Sequence, residues 1–264
     1  ERDGRRFAAI AASDLFEPGD VILSGQETMS ARLGENVPAG LDIRGGLAVD
    51  PRVLLAAWLP GVRRARVGAV APAEGGGWAV LGEDGLALAR ADVVCLAAGV
   101  DCNTLHPGLN LQAVRGQASW TDDETIGGAA AFGGYAIPTR TGVLFGATHD
   151  RDDTDTAVRQ ADNERNLAVL AKTLPKLAAR LEGSPLAARA SLRATTRDYM
   201  PIAGALGGAE PGLFVLSGLG SRGFTLAPLL AEHIAALALD RPSPLPKTLA
   251  RLVDPLRFSE RAGV

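Results

Sequence analysis

The chain has 264 residues, 47% of them hydrophobic, a net charge of −3 and two cysteines. Its length and apolar fraction suffice for one large or two modest domains, while its charge leaves no global basic footprint for nucleic acid or an anionic membrane. Its apolar runs fall short of the ~20 residues of a membrane span, no signal peptide opens it, and Cys95 and Cys102 make no disulfide or metal framework, so a cytoplasmic setting without a membrane partner is expected.

The chain starts at Glu1 rather than Met, which suggests a piece of something longer. Residues 7–34 give a short apolar start, a turn at Pro18-Gly19 and a helix over 24–34. Asp50 as N-cap with Pro51 at the first helical position opens a helix through Trp58. Val62 to Val70 reads as a strand, Gly75 to Gly77 as a hairpin turn and Trp78 to Val80 as the partner strand. Val93 to Ala97 is a continuous apolar run of the kind covered on both faces, which makes Cys95 a buried core thiol.

Residues 112–120 and 129–148 read as strands of an antiparallel sheet, and Asp155 to Leu181 as a helix kinked or divided at Pro175. The acidic run from Asp150 to Asp155 fails as a calcium loop, because Asp155 stands where Gly is required and Ala161 where Glu is required. Those carboxylates read instead as caps for the following helix. Ala187 to Arg193 is a further strand. Of the three histidines, His233 reads as helix surface or packing, His149 as adjoining a possible pocket, and no ligand cluster is expected. Arg193 and Arg197 bracket a polar segment. An Arg fork suits a carboxylate or phosphate, whereas Arg197 with Asp198 reads as a solvated local pair.

The sequence LFVLSGLGSRG over 213–223, followed by an Ala/Leu helix to about 240, matches the dinucleotide pattern G-x-G-x-x-G between strand and helix. The second strand and the ribose-binding acid are missing, since the helix runs into a proline-rich segment. The pattern therefore reads as a glycine turn aiming a helix N-terminus at an electron-rich group. Pro228 suits only a first turn, so the helix is expected to begin near it.

Together, LRATTRDYMPIAG (192–204) and LFVLSGLGSRGFTLAP (213–228) resemble the C-terminal signature of the D-amino-acid-oxidase-like, FAD-dependent oxidoreductases. VRGQ (114–117), GYAIP (134–138), FGAT (145–148) with Asp162 and Asn166, and the strand end Ala97 to Gly99 add to the resemblance. It extends most closely to the flavin-containing half of a bifunctional, tRNA-modifying branch. The resemblance implies an α/β (α+β) fold: an incomplete Rossmann-like FAD domain of residues 41–100 and 197–264, without its first βαβ unit, interleaved with an antiparallel-sheet substrate domain of residues 1–40 and 101–196. It implies FAD contacts at Val67, Ala98, Gly99, Gly220, Ser221, Arg222, Gly223 and Phe224, and a substrate carboxylate held by Tyr135 and Arg193. It singles out no catalytic acid or base and no metal.

The implied activity is oxidation of a secondary amine, the carboxymethylaminomethyl group of a tRNA wobble uridine, with release of glyoxylate and with a fused or separate methyltransferase as partner. The alternatives are a glycine- or sarcosine-type oxidase of small amines, and a truncated, cofactor-free binding or structural module. Clusters at Arg63-Arg64-Arg66 and Arg189-Arg193-Arg197 are candidates for an RNA-facing patch.

Overall fold

The structure, a computed structural model, describes residues 2–208 and 210–258. Its first part runs α1 (Arg2–Ala11), β1 (Val21–Ser24), α2 (Gln26–Leu33), β2 (Gly40–Ile43) and α3 (Pro51–Trp58). It continues with β3 (Val67–Pro72), β4 (Trp78–Gly82), β5 (Ala87–Ala91), β6 (Val94–Leu96) and α4 (Cys102–Leu105). The middle holds β7 (Gln112–Thr121), β8 (Ala130–Ala131), β9 (Tyr135–Pro138), β10 (Val143–Gly146), β11 (Asp150–Arg151), α5 (Gln160–Ala171) and α6 (Pro175–Leu181). The last part is β12 (Ala187–Thr195), β13 (Ile202–Ala205), β14 (Leu213–Ser217), α7 (Gly223–Ala238) and α8 (Lys247–Val253). No helix among the described residues is long and apolar enough to cross a membrane.

Contacts divide the chain into two units. The first comprises Glu1–Gly61, Gly116–His149 and Ala157–Ala190. In it β1 pairs antiparallel with β2, and the end of β7 leads an antiparallel meander through β10, β9 and β8. Val143 and Phe145 of β10 share a core with Leu170 of α5, Leu174 between the helices, and Leu177 and Leu181 one turn apart on α6. Pro175 divides the expected long helix and sits at the first position of α6, where its missing N–H costs nothing. The buried Glu35 serves that helix start from a distance: its carboxylate accepts from the N–H of Lys176 at 3.0 Å and of Leu177 at 2.6 Å. The Asp50–Pro51 signal also holds, with the Asp50 side chain accepting from Arg52 N at 2.9 Å.

The second unit comprises Val62–Arg115, Asp150–Thr156 and Ser191–Val264. Strands β3, β4 and β5 form an antiparallel meander whose first turn is the predicted glycine hairpin, although β3 begins at Val67 and not at Val62. A second sheet has the order β13-β14-β6, with β14 antiparallel to β13 and parallel to β6. The central strand β14 is covered on both faces: Leu213 and Val215 join Trp78 and Leu96, while Phe214 joins Leu230 and Ile234 of α7.

Three expectations are corrected here. Cys95 is exposed, because β6 lies on the edge of its sheet and turns Val94 and Leu96, not Cys95, towards the core; Cys102 is the buried thiol. Helix α7 begins at Gly223, five residues before Pro228, which it accommodates internally. The proline leaves the carbonyl of Phe224 without its i+4 donor, and at an exposed position solvent can supply that bond. The aspartates before α5 are not its caps, since the helix starts only at Gln160 behind Arg159.

Candidate functional site

Strands β6 and β14 run parallel, so their C-terminal ends lie side by side; Gly218 follows β14 directly, and Gly99 follows β6 after Ala97 and Ala98. Ser217 Oγ at the end of β14 donates to the carbonyl of Gly99 beyond β6 at 2.9 Å. The structure thus brings together Ala98 and Gly99 with the 218–223 turn, two groups that the sequence separates by over a hundred residues. The C-terminal edge of parallel strands is where open α/β sheets take ligands.

The glycines there have different reasons. Gly218 has φ +70, and a Cβ on it would stand 2.9 Å from Thr196 Cγ2, so both conformation and space require glycine. Gly99 has φ +60 but faces open space, and Gly223, which has no positive φ, would also place a Cβ where nothing lies within 4 Å. Such glycines bare the backbone. Directly behind them starts α7, whose first N–H groups have no partner within the helix and carry its partial positive charge. Ser221, Arg222 and Phe224 are exposed around this opening. The arrangement fits a planar group with an electron-rich edge.

The turn is also tied to β12. Gly220 N–H donates to Ala194 O at 2.9 Å, which places the half-buried Arg193 one residue from the anchored position. Past β12 the chain is fixed by Asp198, whose carboxylate takes two guanidinium bonds from Arg257, each 3.0 Å, and accepts from Met200 N at 3.1 Å. Arg257 beside it holds the Asp198 carboxyl down at about 2. The partner expected for Asp198 was Arg197. That residue instead lays its guanidinium 4.4 Å from the Phe258 ring centroid, because the nearly buried Arg257 already occupies the carboxylate.

Tyr199, which follows, has φ +60 and is 52% exposed. Its N–H donates to Thr196 O, its carbonyl accepts from Arg222 of the glycine turn, and its hydroxyl accepts from Arg151 of β11. The Arg151 guanidinium lies 5.4 Å from the ring centroid. Sequence reasoning missed this group, whose only local signal is an aromatic residue beside arginines in a short polar loop.

The remaining predicted residues are more scattered. Val67 starts β3, in a different sheet of the second unit. Tyr135 belongs to the first unit, half-buried on β9 opposite Gly146, whereas Arg193 belongs to the second. Of the suggested basic clusters, Arg63 donates to Leu88 O and Arg66 pairs with Glu83, both on the β3–β5 meander. His149 is exposed, and His233 is buried with Nδ1 2.7 Å from Ser243 Oγ, burial pulling its pKa down.

Near Tyr135 lies a second unforeseen feature, a buried amide cluster. Gln117 Nε2 donates to Asn163 Oδ1 at 2.9 Å and to Arg159 O at 2.8 Å, while its Oε1 accepts from Arg159 N. Ser119 Oγ donates to Asn163, and Asn166 Nδ2 donates to Gln117 O and to Ser119 Oγ. A Cβ on Gly146 would meet the Asn166 amide at 3.2 Å, so α5 and β10 are in intimate contact there.

Residues 2–237 match the family described as FAD dependent oxidoreductase. The chain is 53% identical over 263 residues to the tRNA 5-methylaminomethyl-2-thiouridine biosynthesis bifunctional protein MnmC of Caulobacter sp. (strain K31), covering 99% of this chain and 44% of that protein. It is 39% identical over 226 residues to the protein of that name from Thiobacillus denitrificans, covering 80% and 36% respectively. It thus spans less than half the length of these relatives. Among solved structures it is similar to glycine oxidase from Bacillus cereus, with TM-score 0.76 and 16% identity over 93% of this chain and 72% of that one. It is also similar to iminodiacetate oxidase from Chelativorans sp. BNC1, with TM-score 0.71 and 22% identity over 92% and 68%. The predicted mixed α/β architecture with antiparallel sheets is thus the fold of FAD-dependent oxidases, and the chain belongs to the FAD-dependent oxidoreductase family.

Proposed function

We propose that this chain carries the flavin-ring end and substrate residues of an amine oxidoreductase acting on the carboxymethylaminomethyl group of a tRNA wobble uridine. The observation that supports it most is the pair of parallel strands followed by glycine turns, with Gly99 beyond β6 and Gly223 at the start of α7 both facing open space. A Cβ would fill that cradle, so the residues fit FAD there. When bound, FAD supplies two-electron acceptance, turning the secondary amine into an imine that water cleaves to the aminomethyl base and glyoxylate.

The residues have separable tasks. The backbone of Gly220, Ser221, Arg222, Gly223 and Phe224, with the α7 N-terminus, offers N–H groups and positive potential to an electron-rich ring edge, in a geometry fixed before reaction. Ala98 and Gly99 give close backbone approach, and Val67 adds an apolar contact. Arg193 offers a planar fork to the carboxylate and Tyr135 a single O–H donor, as the family resemblance implies. Holding the carboxylate orients the adjacent carbon, an effect worth several kcal/mol, of order the ~7–11 available from orientation. No side-chain base is demanded, because an unprotonated amine releases hydride directly.

The rival reading, oxidation of a free glycine-type amine, draws on the net charge of −3, since tRNA demands a local basic surface. Mass spectrometry of tRNA nucleosides, before and after incubation with the FAD-reconstituted chain, separates the two. Conversion of the carboxymethylaminomethyl base to the aminomethyl base, with trapped glyoxylate, is expected. Unchanged tRNA alongside amine-dependent bleaching of the flavin by sarcosine overturns the tRNA reading.

A further inference from the structure

Tyr199 occupies a left-handed backbone conformation that a side chain with a Cβ adopts only at a cost. The residue is 52% exposed, so core burial does not offset that cost. The loop is nevertheless held firmly. Tyr199 N–H bonds Thr196 O at 3.1 Å, its carbonyl takes Arg222, and the preceding Asp198 is gripped by Arg257. The surroundings thus fix an aromatic face towards solvent. Arg151 extends it with a delocalised, planar cation that donates to the phenol oxygen, its guanidinium carbon 5.4 Å from the ring centroid.

We propose that Tyr199 and Arg151 form a stacking platform for an unpaired RNA base beside the reacting nucleotide. This rests on the tRNA reading above. Two observations give the chemistry. Arg222 belongs to the 218–223 turn, so the platform is tied to the glycine cradle by a direct bond. Arg151 stands beside Asp152 and Asp153, so the β11 loop carries no excess positive charge. A phosphate clamp would need that excess. A flat Tyr–Arg surface instead takes the π-face of a base, whatever its sequence.

The test measures binding of a fluorescent anticodon stem-loop RNA, with carboxymethylaminomethyluridine at the wobble position, alongside the thermal midpoint of each variant. Tyr199→Gly is the informative change, because glycine accepts φ +60 freely. It should weaken RNA binding about tenfold, the usual scale for losing one stacked base, while the midpoint stays or rises. Tyr199→Phe should bind within about twofold of the unaltered chain, since the face remains. The dependence of affinity on salt should be the same for Tyr199→Gly and the unaltered chain. Unchanged RNA affinity in Tyr199→Gly, or parallel loss of affinity and midpoint, overturns the platform and leaves the tRNA reading standing. A shallower salt dependence in that variant makes the contact a phosphate one and overturns the stacking. No RNA binding by the unaltered chain defeats the tRNA reading and the platform together.

Discussion

The amide cluster of the first unit and the glycine turn of the second use similar residues to opposite ends. Around Gln117, Ser119, Asn163 and Asn166, polar groups are buried and satisfied by one another, and glycine at 142 and 146 lets backbone and side chains close together. Around Gly99 and Gly223 the backbone is bare, and glycine keeps space open. One region spends its polarity on holding its own shape; the other leaves it for something else. Glycine by itself therefore does not distinguish a structural from a functional position, but what a Cβ would touch does.

The comparison breaks most visibly at Gly142. A Cβ there would stand 1.9 Å from Thr121 O and 2.7 Å from Asp122 Cα. Gly142→Ala should cost about 3 kcal/mol or more, as severe overpacking does, and urea denaturation measures it. A loss below about 1 kcal/mol would mean that the β7–β10 connection yields easily. Next, Asn163→Ala removes the acceptor shared by Gln117 Nε2 and Ser119 Oγ, leaving buried donors unpaired at a cost of about 2 kcal/mol. A neutral outcome in the same denaturation assay would show that water enters the cluster.

A smaller effect belongs to the Asp198–Arg257 pair. Its carboxyl lies near 2 in the folded chain, against 3.8 for an ordinary aspartate. A lowered pKa stabilises the fold fully above the unfolded value, and this stability is lost as pH falls from about 4 through 2. Arg257→Ala should therefore lower the thermal midpoint at pH 7 and flatten its decline across that window. Equal steepness in variant and unaltered chain would assign the acid sensitivity elsewhere. The smallest expected change in stability is at Gly223. Gly223→Ala enters open space without backbone strain and should leave stability within ~0.5 kcal/mol. Amine-dependent flavin reduction should nonetheless fall sharply. Normal reduction would make the 218–223 turn structural and erase the contrast between the two regions.

Much of this was legible where the signal is local. Asp50-Pro51, the Gly75–Gly77 hairpin and the glycine turn after β14 each follow from a few neighbouring residues. The pairing of β1 with β2 was not, because Gly40–Ile43 is short, contains Asp42 and gains its partner from twenty residues upstream. Cys95 was misplaced because an apolar run does not reveal that its strand lies on a sheet edge. The amide cluster was hidden for another reason: residues such as Gln, Ser and Asn are mostly found exposed. The signal was their phase, since Gln117 and Ser119 share a strand face while Asn163, Asn166 and Leu170 share a helix face. In the candidate site, Ser217 ties Gly99 to the start of the glycine turn across more than a hundred residues, a contact no local pattern specifies, and the Tyr199 conformation has no signature in composition or spacing.

Each unit is assembled from three separate stretches of chain. No contiguous piece of coding sequence therefore specifies either unit, and a crossover that exchanged one for a homologue's would have to cut the gene at five places. Inheritance should keep the two together, with new capabilities gained by additions at the termini or in exposed loops rather than by shuffling the halves.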